Sequence, residues 1–308
     1  MNDLDRMHML QRPAGPIDVV LDTDTYNEID DQFALAYLLS AQEKLHTLAI
    51  TAAPFLNKRA QSAADGMEKS YQEILKLLRL MDREADAAMV FRGSDRFLPD
   101  EQTPVDSPAA RRIAELALAH DGDHPLYVAA IGAITNVASA LLLHPEIAGR
   151  MVVVWLGGHA LHYAHTREFN MKQDIASARV VFQSGVPLVL LPCRGVVDVF
   201  TLSGPDLEKW FIGANPLCDY LAKNAIAEAE SYAAGKPWTR VIWDVTAVAW
   251  LLDPESRFLQ DRLLPRPVPE YDGLWGTDIQ APLCRYVYHV NRDALAADLA
   301  ARLTGRTL

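Results

Sequence analysis

Apolar runs alternate with amphipathic stretches along most of the chain. Short, nearly unbroken apolar runs predict buried strands at residues 17–22, 45–53, 126–132, 151–157 and 187–192. Longer stretches between and after them predict helices at residues 31–43, 59–80, 108–120, 136–149, 174–184, 206–234 and 243–252. Strands that alternate with helices predict βαβ units, and strands without a polar face favour a sheet covered on both sides. We therefore predict an α/β fold with a mostly parallel open sheet and helices on both faces.

The remaining segments fill in the domain organisation. Residues 1–15 are expected to form a loose N-terminal arm, and residues 92–108, rich in Pro, Asp and Ser, a surface loop. Residues 253–282 hold five prolines and little periodicity, whereas residues 283–290 predict a late strand and residues 292–303 a closing helix. We find no internal repeat, low-complexity tract or clear linker. One domain over residues 16–308 is therefore the prediction.

Composition narrows the classes of function. The 308 residues are half hydrophobic and carry a net charge of −11, which argues against a protein that binds nucleic acid or an anionic membrane surface. No apolar run reaches the roughly 18 residues that a membrane span requires, and the N-terminus does not have the pattern of a signal peptide. The three cysteines lie far apart without metal-site spacing. A cytoplasmic protein is the simplest expectation.

Five carboxylates crowd one stretch directly after the apolar run 17–21, namely Asp22, Asp24, Glu28, Asp30 and Asp31. The carboxyl end of a strand is where open α/β sheets place their ligands. Like charges this close repel one another, and a hard divalent cation with oxygen ligands would stabilise them. The alternative is a solvated acidic loop in which Asp30 or Asp31 only caps the next helix.

Three later segments also carry candidate chemistry. In residues 128–136 a strand passes through Gly132 into a helix that Thr135 or Asn136 can cap, which is equally typical of a plain strand–helix junction. Paired glycines at 157–158 let the backbone approach a ligand closely. Asp244 is a lone acid at the start of a strongly apolar helix, either as an N-cap or as a buried cation ligand.

Three histidines, His159, His162 and His165, recur at every third position after the paired glycines. Such spacing raises the possibility of a metal cluster. Zinc sites usually require a tighter His or Cys set than this chain supplies, so solvated histidines are the better interpretation.

Four features, taken in their order along the chain, resemble the nucleoside hydrolases. They are the acidic stretch, Gly132-Ala133-Ile134-Thr135-Asn136, Gly157-Gly158 followed by Glu168-Phe169-Asn170, and Asp244. These are calcium-dependent enzymes that cleave the N-glycosidic bond of ribonucleosides. The resemblance spans roughly residues 17–252. It implies a nucleoside-hydrolase-like α/β fold, a Ca²⁺ cofactor, a nucleoside-like substrate and a homodimer or homotetramer.

The resemblance also implies roles for the matched residues. The metal ligands would be the side chains of Asp24, Asp31 and Asp244 and the backbone carbonyl of Thr135. Asp24 would in addition be the catalytic base that takes a proton from the attacking water, while Asp22 supports the loop from behind. The substrate-binding residues would be Asp30, Glu168 and Asn170 at the ribose hydroxyls and Trp243 at the base.

The sequence departs from the family pattern in three places. Five residues separate Asp24 from Asp30 instead of the usual three, so the loop must bulge and bring Asn27 and Glu28 near the site. Trp243 occupies the position before the last Asp, where many members carry a histidine as the acid for the leaving base. Purine-preferring members share a Trp there, although a core aromatic is an equal alternative. Asn57 is only a possible substitute for the family's Asn after the second strand.

Two other functions compete with a nucleoside hydrolase. The pair Asp22 and Asp24 after an apolar strand also fits a haloacid-dehalogenase-like phosphatase, but a later Lys motif is not evident and the Asp30-Asp31 pair comes too early. A non-catalytic binder of nucleoside-like ligands that keeps the calcium site would explain both the altered loop and the missing histidine.

Overall fold

The computed structural model describes residues 2–306, and an eight-stranded sheet forms its centre. The strand order is β3-β2-β1-β4-β5-β6-β12-β9. The strands are β1 (Ile17–Thr23), β2 (Leu45–Ala52), β3 (Val90–Arg92), β4 (Leu126–Ala130), β5 (Met151–Leu156), β6 (Leu188–Leu191), β7 (Thr201–Ser203), β8 (Thr239–Val241), β9 (Leu259–Pro265), β10 (Pro267–Pro269), β11 (Trp275–Thr277) and β12 (Leu283–Val290). All neighbours in the central sheet are parallel except β12 and β9, which are antiparallel.

Helices cover both faces of this sheet. They are α1 (Asp3–Met9), α2 (Ile29–Leu39), α3 (Ala63–Leu80), α4 (Pro108–Leu118), α5 (Thr135–Leu143), α6 (Phe169–Gln173), α7 (Ile175–Gln183), α8 (Gly204–Trp210), α9 (Pro216–Ala233), α10 (Val245–Leu252) and α11 (Arg292–Thr304). One buried hydrophobic cluster lies against α2, α9, α10 and α11, and a second lies against α4, α5 and α7. The predicted α/β class with a mostly parallel, doubly covered sheet is confirmed.

The central elements are apolar on every side because they are enclosed. Every residue of β4 and β5 is buried, and so is every residue of α2 and α10. A helix that is hydrophobic all round belongs to the interior of a large domain. The acidic residues at the start of α2 are therefore also inside the protein, where an ionised carboxylate is costly.

The N-terminal residues are not the loose arm that the sequence suggested. They form α1 and a packed segment in which Met9 and Leu10 are buried. Arg12 forms buried ion pairs with Asp253 at 3.3 Å and Asp261 at 2.7 Å. These partners are about 240 residues away along the chain, so no local pattern indicated them.

Several predicted boundaries also shift. The single helix expected at 206–234 is two helices, because Asn215 caps a new helix whose first residue is Pro216. The proline-rich segment 253–282 contains β9, which closes one edge of the sheet. An edge strand keeps one side in solvent, so β9 lacks the apolar run that revealed the inner strands. Among residues 2–306, the helices are all too short or too polar to cross a membrane.

Candidate active site

The acidic stretch lies where the sequence placed it, at the carboxyl end of β1. The chain turns after Asp24, where the backbone N–H of Asn27 donates to the backbone carbonyl of Asp24. Helix α2 then begins at Ile29. The helix-cap position belongs to Glu28, whose side chain makes no capping hydrogen bond. Asp24, Asp30 and Asp31 are all buried. A solvated acidic loop is therefore the wrong description of these three residues.

Asp244 belongs to the same cluster although it lies in a distant part of the sequence. It occupies the N-cap position of α10, yet its carboxylate makes no capping hydrogen bond. Carboxylate oxygens of Asp30, Asp31 and Asp244 lie within 4.8 Å of one another. Asp31 also contacts the carboxyl group of Asp24. The tertiary structure thus brings four acids from two distant segments to one point.

Burial and mutual repulsion perturb these acids strongly. Burial raises the pKa of Asp31 to about 7, and burial together with neighbouring carboxylates holds the pKa values of Asp24, Asp30 and Asp244 well above their usual range. One buried oxygen of Asp24 and one of Asp30 have no hydrogen-bond partner among residues 2–306. Buried carboxylate oxygens without donors are what a hard divalent cation requires, so this donor set fits a metal ion.

A hydrogen-bonded layer holds the acidic cluster from behind. Thr23 donates to Asp31 at 2.6 Å. Asp22 accepts hydrogen bonds from Thr51 at 2.7 Å and from the Asn136 amide at 2.8 Å, while burial raises the pKa of Asp22 to about 6. Asp22 is therefore committed to neighbours in β2 and α5, in agreement with the supporting position expected from the sequence.

The glycine after β4 allows a close approach to the cluster. A Cβ atom on Gly132 would lie 3.2 Å from the Asp24 carboxyl carbon and 3.1 Å from Ala53. Those distances are tighter than ordinary van der Waals contacts. A larger residue at Gly132 would push Asp24 out of place, and this gives the Gly132 segment a role beyond a plain strand–helix junction.

Thr135 does not occupy the position that the resemblance implied. It is fully buried as the first residue of α5, and its hydroxyl donates to Asp174 at 2.7 Å. The part of this segment that faces the cavity is Ile131, directly after β4. The chain turns at Gly132 before the helix begins, so the residue directly after the strand, and not the first residue of the helix, lies in the cavity lining.

Glu168 and Asn170 form a second part of the cavity lining. The buried Glu168 carboxylate accepts backbone N–H groups of Gly158, Asn170 and Met171 at 2.8 to 3.0 Å. Burial nevertheless raises its pKa. The Asn170 amide donates to the carbonyls of Ile131 and Leu156, so its own Oδ1 remains as an acceptor for a ligand.

The cavity lined by these two groups of residues encloses about 310 Å³, within the range of small-molecule sites. Trp243 lines it and is half-buried, with part of its ring against the hydrophobic core. The enlarged loop contributes Asn27 and Glu28 to the lining, as the extra residues predicted. Asn57 donates to Asn27 at 2.7 Å and thereby supports the loop.

Three arginines near the cavity were not identified from the sequence. Arg240 in β8 hydrogen-bonds to Glu28 at 2.7 Å and lies 3.9 Å from Asp30. Arg167 and Arg194 line the cavity itself. Arg167 directly precedes Glu168 and Arg240 comes three positions before Trp243, but nothing in a local pattern distinguishes such an arginine from a solvated one.

The histidines divide into two groups. His162 and His165 are exposed, as expected for solvated residues, although His165 lines the cavity mouth. His159 is buried, so the solvated interpretation was wrong for this residue. Trp275 donates to its backbone carbonyl and Thr166 accepts its backbone N–H, which fix it inside the loop that follows β5.

Comparison with known proteins identifies relatives of the whole chain. A family model described as inosine-uridine preferring nucleoside hydrolase matches residues 19–293. The non-specific ribonucleoside hydrolase RihC of Salmonella agona is 29% identical over 271 residues, which cover 80% of this chain and 82% of the relative.

Solved structures show the same fold. A plant nucleoside hydrolase, PpNRh1, has a TM-score of 0.74 at 20% identity, covering 94% of this chain and 100% of its own. A purine-preferring ribonucleoside hydrolase from Gardnerella vaginalis has a TM-score of 0.72 at 19% identity, with 94% and 98% covered. At these identities the structural likeness concerns the fold alone.

Proposed function

Since the chain belongs to the inosine-uridine preferring nucleoside hydrolase family of N-glycosidases, we propose that it uses calcium to hydrolyse ribonucleosides, with a preference for purines. The observation that carries the proposal is the single cavity described above. It brings a buried carboxylate cluster together with Glu168 and Asn170, so that one ligand would touch both groups. The products would be ribose and the free base.

The metal would be held by Asp24, Asp31 and Asp244, with Asp30 beside them. For the backbone carbonyl, we propose Ile131 in place of Thr135, because the cavity lining includes Ile131 and not Thr135. The Ile131 carbonyl accepts one hydrogen bond from Asn170 and keeps a second lone pair for the metal. Calcium is favoured over zinc because the donors are oxygens, and the close group of ligand atoms found among residues 2–306, from Asp30, Asp31 and Asp244, includes no His or Cys. When bound, calcium would lower the pKa of a water molecule and offset the cluster's negative charge.

The protein's own groups would carry out the remaining chemistry. Asp24 would accept the proton from the attacking water, since it has a buried carboxylate oxygen free of other donors. Asp30, Glu168 and the Oδ1 atom of Asn170 would accept hydrogen bonds from the ribose hydroxyls and orient the sugar. As the C–N bond breaks, positive charge develops on the ribose, and the surrounding carboxylates would stabilise it.

The preference for purines follows from Trp243. This ring lies on the cavity wall directly before Asp244, where a leaving base can stack on it. A purine offers a larger π-face than a pyrimidine and a ring nitrogen that can take up a proton. Stacking would therefore assist departure of a purine more than departure of uracil.

The alternatives differ in what they predict. Membership of the nucleoside hydrolase family argues against the phosphatase, which would belong to another family. A non-catalytic binder would keep the cavity and the metal but release no sugar. We further propose a cytoplasmic location and a homodimer or homotetramer, both carried over from the family resemblance and the composition.

The test is release of base and reducing sugar from inosine with and without calcium. Wild-type protein should release both in equal amounts, and Asp24→Asn should abolish release while the protein stays folded. Asp123→Asn is the matched control, because Asp123 is exposed and precedes β4 at the end away from the cavity. Tight inosine binding without sugar release would favour the binder, and phosphate release from a phosphate ester would favour the phosphatase.

A further inference from the structure

Two arginines and two histidines gather at one end of an otherwise acidic cavity. Arg167, Arg194, His159 and His165 line it, whereas the acids of the metal cluster form the other end. The two arginines are exposed at the mouth and His159 is buried. In a chain with a net charge of −11, basic groups concentrated at a ligand cavity indicate what the ligand carries.

All four basic residues are tied to the surroundings of Glu168. Arg167 directly precedes it, and His159 follows Gly158, whose N–H donates to the Glu168 carboxylate at 3.0 Å. Arg194 follows Cys193, whose thiol contacts Glu168. The rings of His159 and His165 have centroids 5.6 Å apart. The four residues therefore lie in segments that adjoin Glu168, the proposed ribose-binding residue.

The basic groups at this end are not neutralised by the protein. Neither Arg167 nor Arg194 forms an ion pair among residues 2–306, and the Arg167 side chain donates only to the Asp272 carbonyl. Burial, followed by the positive charges of Arg194 and His165, lowers the pKa of His159 to about 4. Asp198 acts in the opposite direction and is outweighed.

Hydrogen-bond donors at this end also lack acceptors. The buried Nδ1 of His159 has no partner in the described part of the chain. The Nδ1 of His165 accepts the backbone N–H of Arg167, which leaves Nε2 as the donor of that ring. Two guanidinium groups and two imidazoles thus offer donors to a single region, an arrangement suited to the several oxygens of a phosphate or carboxylate.

We propose that the cavity takes a ribonucleoside carrying an anionic group, which lies against Arg167, Arg194 and His159. The group is either a phosphate on the ribose or a carboxylate on the base, since both present oxygens to the same donors. Glu168 contributes one negative charge there, and its carboxylate is held by three backbone N–H groups. The inference rests on the proposed hydrolase function and defines the substrate class of that site.

The first test is binding and does not depend on catalysis. Calorimetry on calcium-loaded protein should show that ribose 5-phosphate binds at least about tenfold more tightly than ribose. This factor corresponds to the lower end of the free energies of hydrogen bonds to charged groups, as expected because both arginines are exposed. Orotate compared with uracil tests a carboxylate on the base in the same way. If neither anion binds better than its neutral partner, the inference is wrong, whatever the result with inosine.

The second test compares kcat/KM for inosine 5′-monophosphate with that for inosine, and for orotidine with that for uridine. A preference confined to the first pair assigns the anion to the ribose, and one confined to the second assigns it to the base. Turnover of inosine with no advantage for either anion would overturn the inference and leave the hydrolase function intact. Anion-selective binding without turnover of any riboside would support the inference and overturn the hydrolase function.

Substitution of the arginines locates the effect. Arg167→Gln and Arg194→Gln should each reduce the anion-to-neutral binding ratio by about threefold, and both together should remove a preference of about tenfold. Arg79→Gln is the matched control, because Arg79 is an exposed arginine without an ion pair at the far end of α3. An unchanged ratio in the double variant, or an equal loss in Arg79→Gln, would show that these guanidiniums do not bind the anion.

Discussion

Replacing Asp244 by Asn should stabilise the metal-free protein and remove most of the stabilisation that calcium gives. The substitution is nearly isosteric, so the fold should survive. Without metal, Asp244 must either ionise beside other carboxylates or take up a proton, and both lower the stability of the folded state. Asn removes that cost, but it also removes a full negative charge from the proposed calcium site.

The size of the first effect follows from the neighbouring acid. The pKa of Asp31 rises from 3.8 to about 7, so at pH 8 this group alone favours the unfolded chain by about 4 kcal/mol. Asp244 belongs to the same cluster. We therefore expect the metal-free Asp244→Asn protein to be more stable than metal-free wild type by about 1–3 kcal/mol at pH 8.

The second effect comes from linkage between binding and folding. Calcium at a hundredfold excess over its dissociation constant stabilises the wild type by about 2.7 kcal/mol. With an unfolding entropy of about 2.1 cal/mol/K per residue over 308 residues, this corresponds to a rise in Tm of about 4 °C. If Asp244→Asn weakens calcium binding by about a hundredfold, the rise at the same calcium concentration falls below about 1 °C.

The assay is differential scanning calorimetry at pH 8 with chelator and with calcium, on wild type, Asp244→Asn and the control Asp123→Asn. Asp123→Asn changes the net charge equally but lies away from the cavity. Calcium titrations followed by calorimetry give the dissociation constants directly. A normal calcium-induced rise in the Asp244→Asn protein would show that Asp244 is not a ligand, and a lower metal-free Tm would show that its charge is not destabilising.

Three further predictions test other parts of the structure. The raised pKa values of Asp22 and Asp31, about 6 and 7, stabilise the metal-free protein below pH 3.8, and this stabilisation is lost as the pH rises to about 7. The calcium-induced rise in Tm should therefore be larger at pH 8 than at pH 5.5. Equal rises at the two pH values would contradict this linkage between protonation and stability. Trp243→Ala should lower kcat for inosine about 2–10-fold while ribose affinity changes less, from the value of aromatic stacking; equal rates on inosine and uridine, with only stability affected, would assign Trp243 to the core. Arg12→Ala leaves Asp253 and Asp261 as buried acids that have lost a partner, and should cost about 3–5 kcal/mol in chemical denaturation; an unchanged midpoint would mean that the N-terminal segment is not coupled to the domain.

The sequence alone determined the fold class and one edge of the site. Unbroken apolar runs such as Met151–Leu156 arise only where both faces of a strand are covered, so their alternation with helices already required a parallel sheet. The carboxyl ends of parallel strands share one edge. The position of Asp24 directly after the first strand therefore placed it at the edge of the sheet where ligands bind.

What the sequence left open depended on contacts between distant segments. Whether Ile131 or Thr135 faces the cavity is decided by where the chain turns after β4, and whether His159 is buried is decided by Trp275 packing over its loop. The presence of Arg167 and Arg194 in one cavity likewise depends on loops from two strands. Local patterns report which side of an element faces a core, but they carry no information on which remote residue completes a cavity.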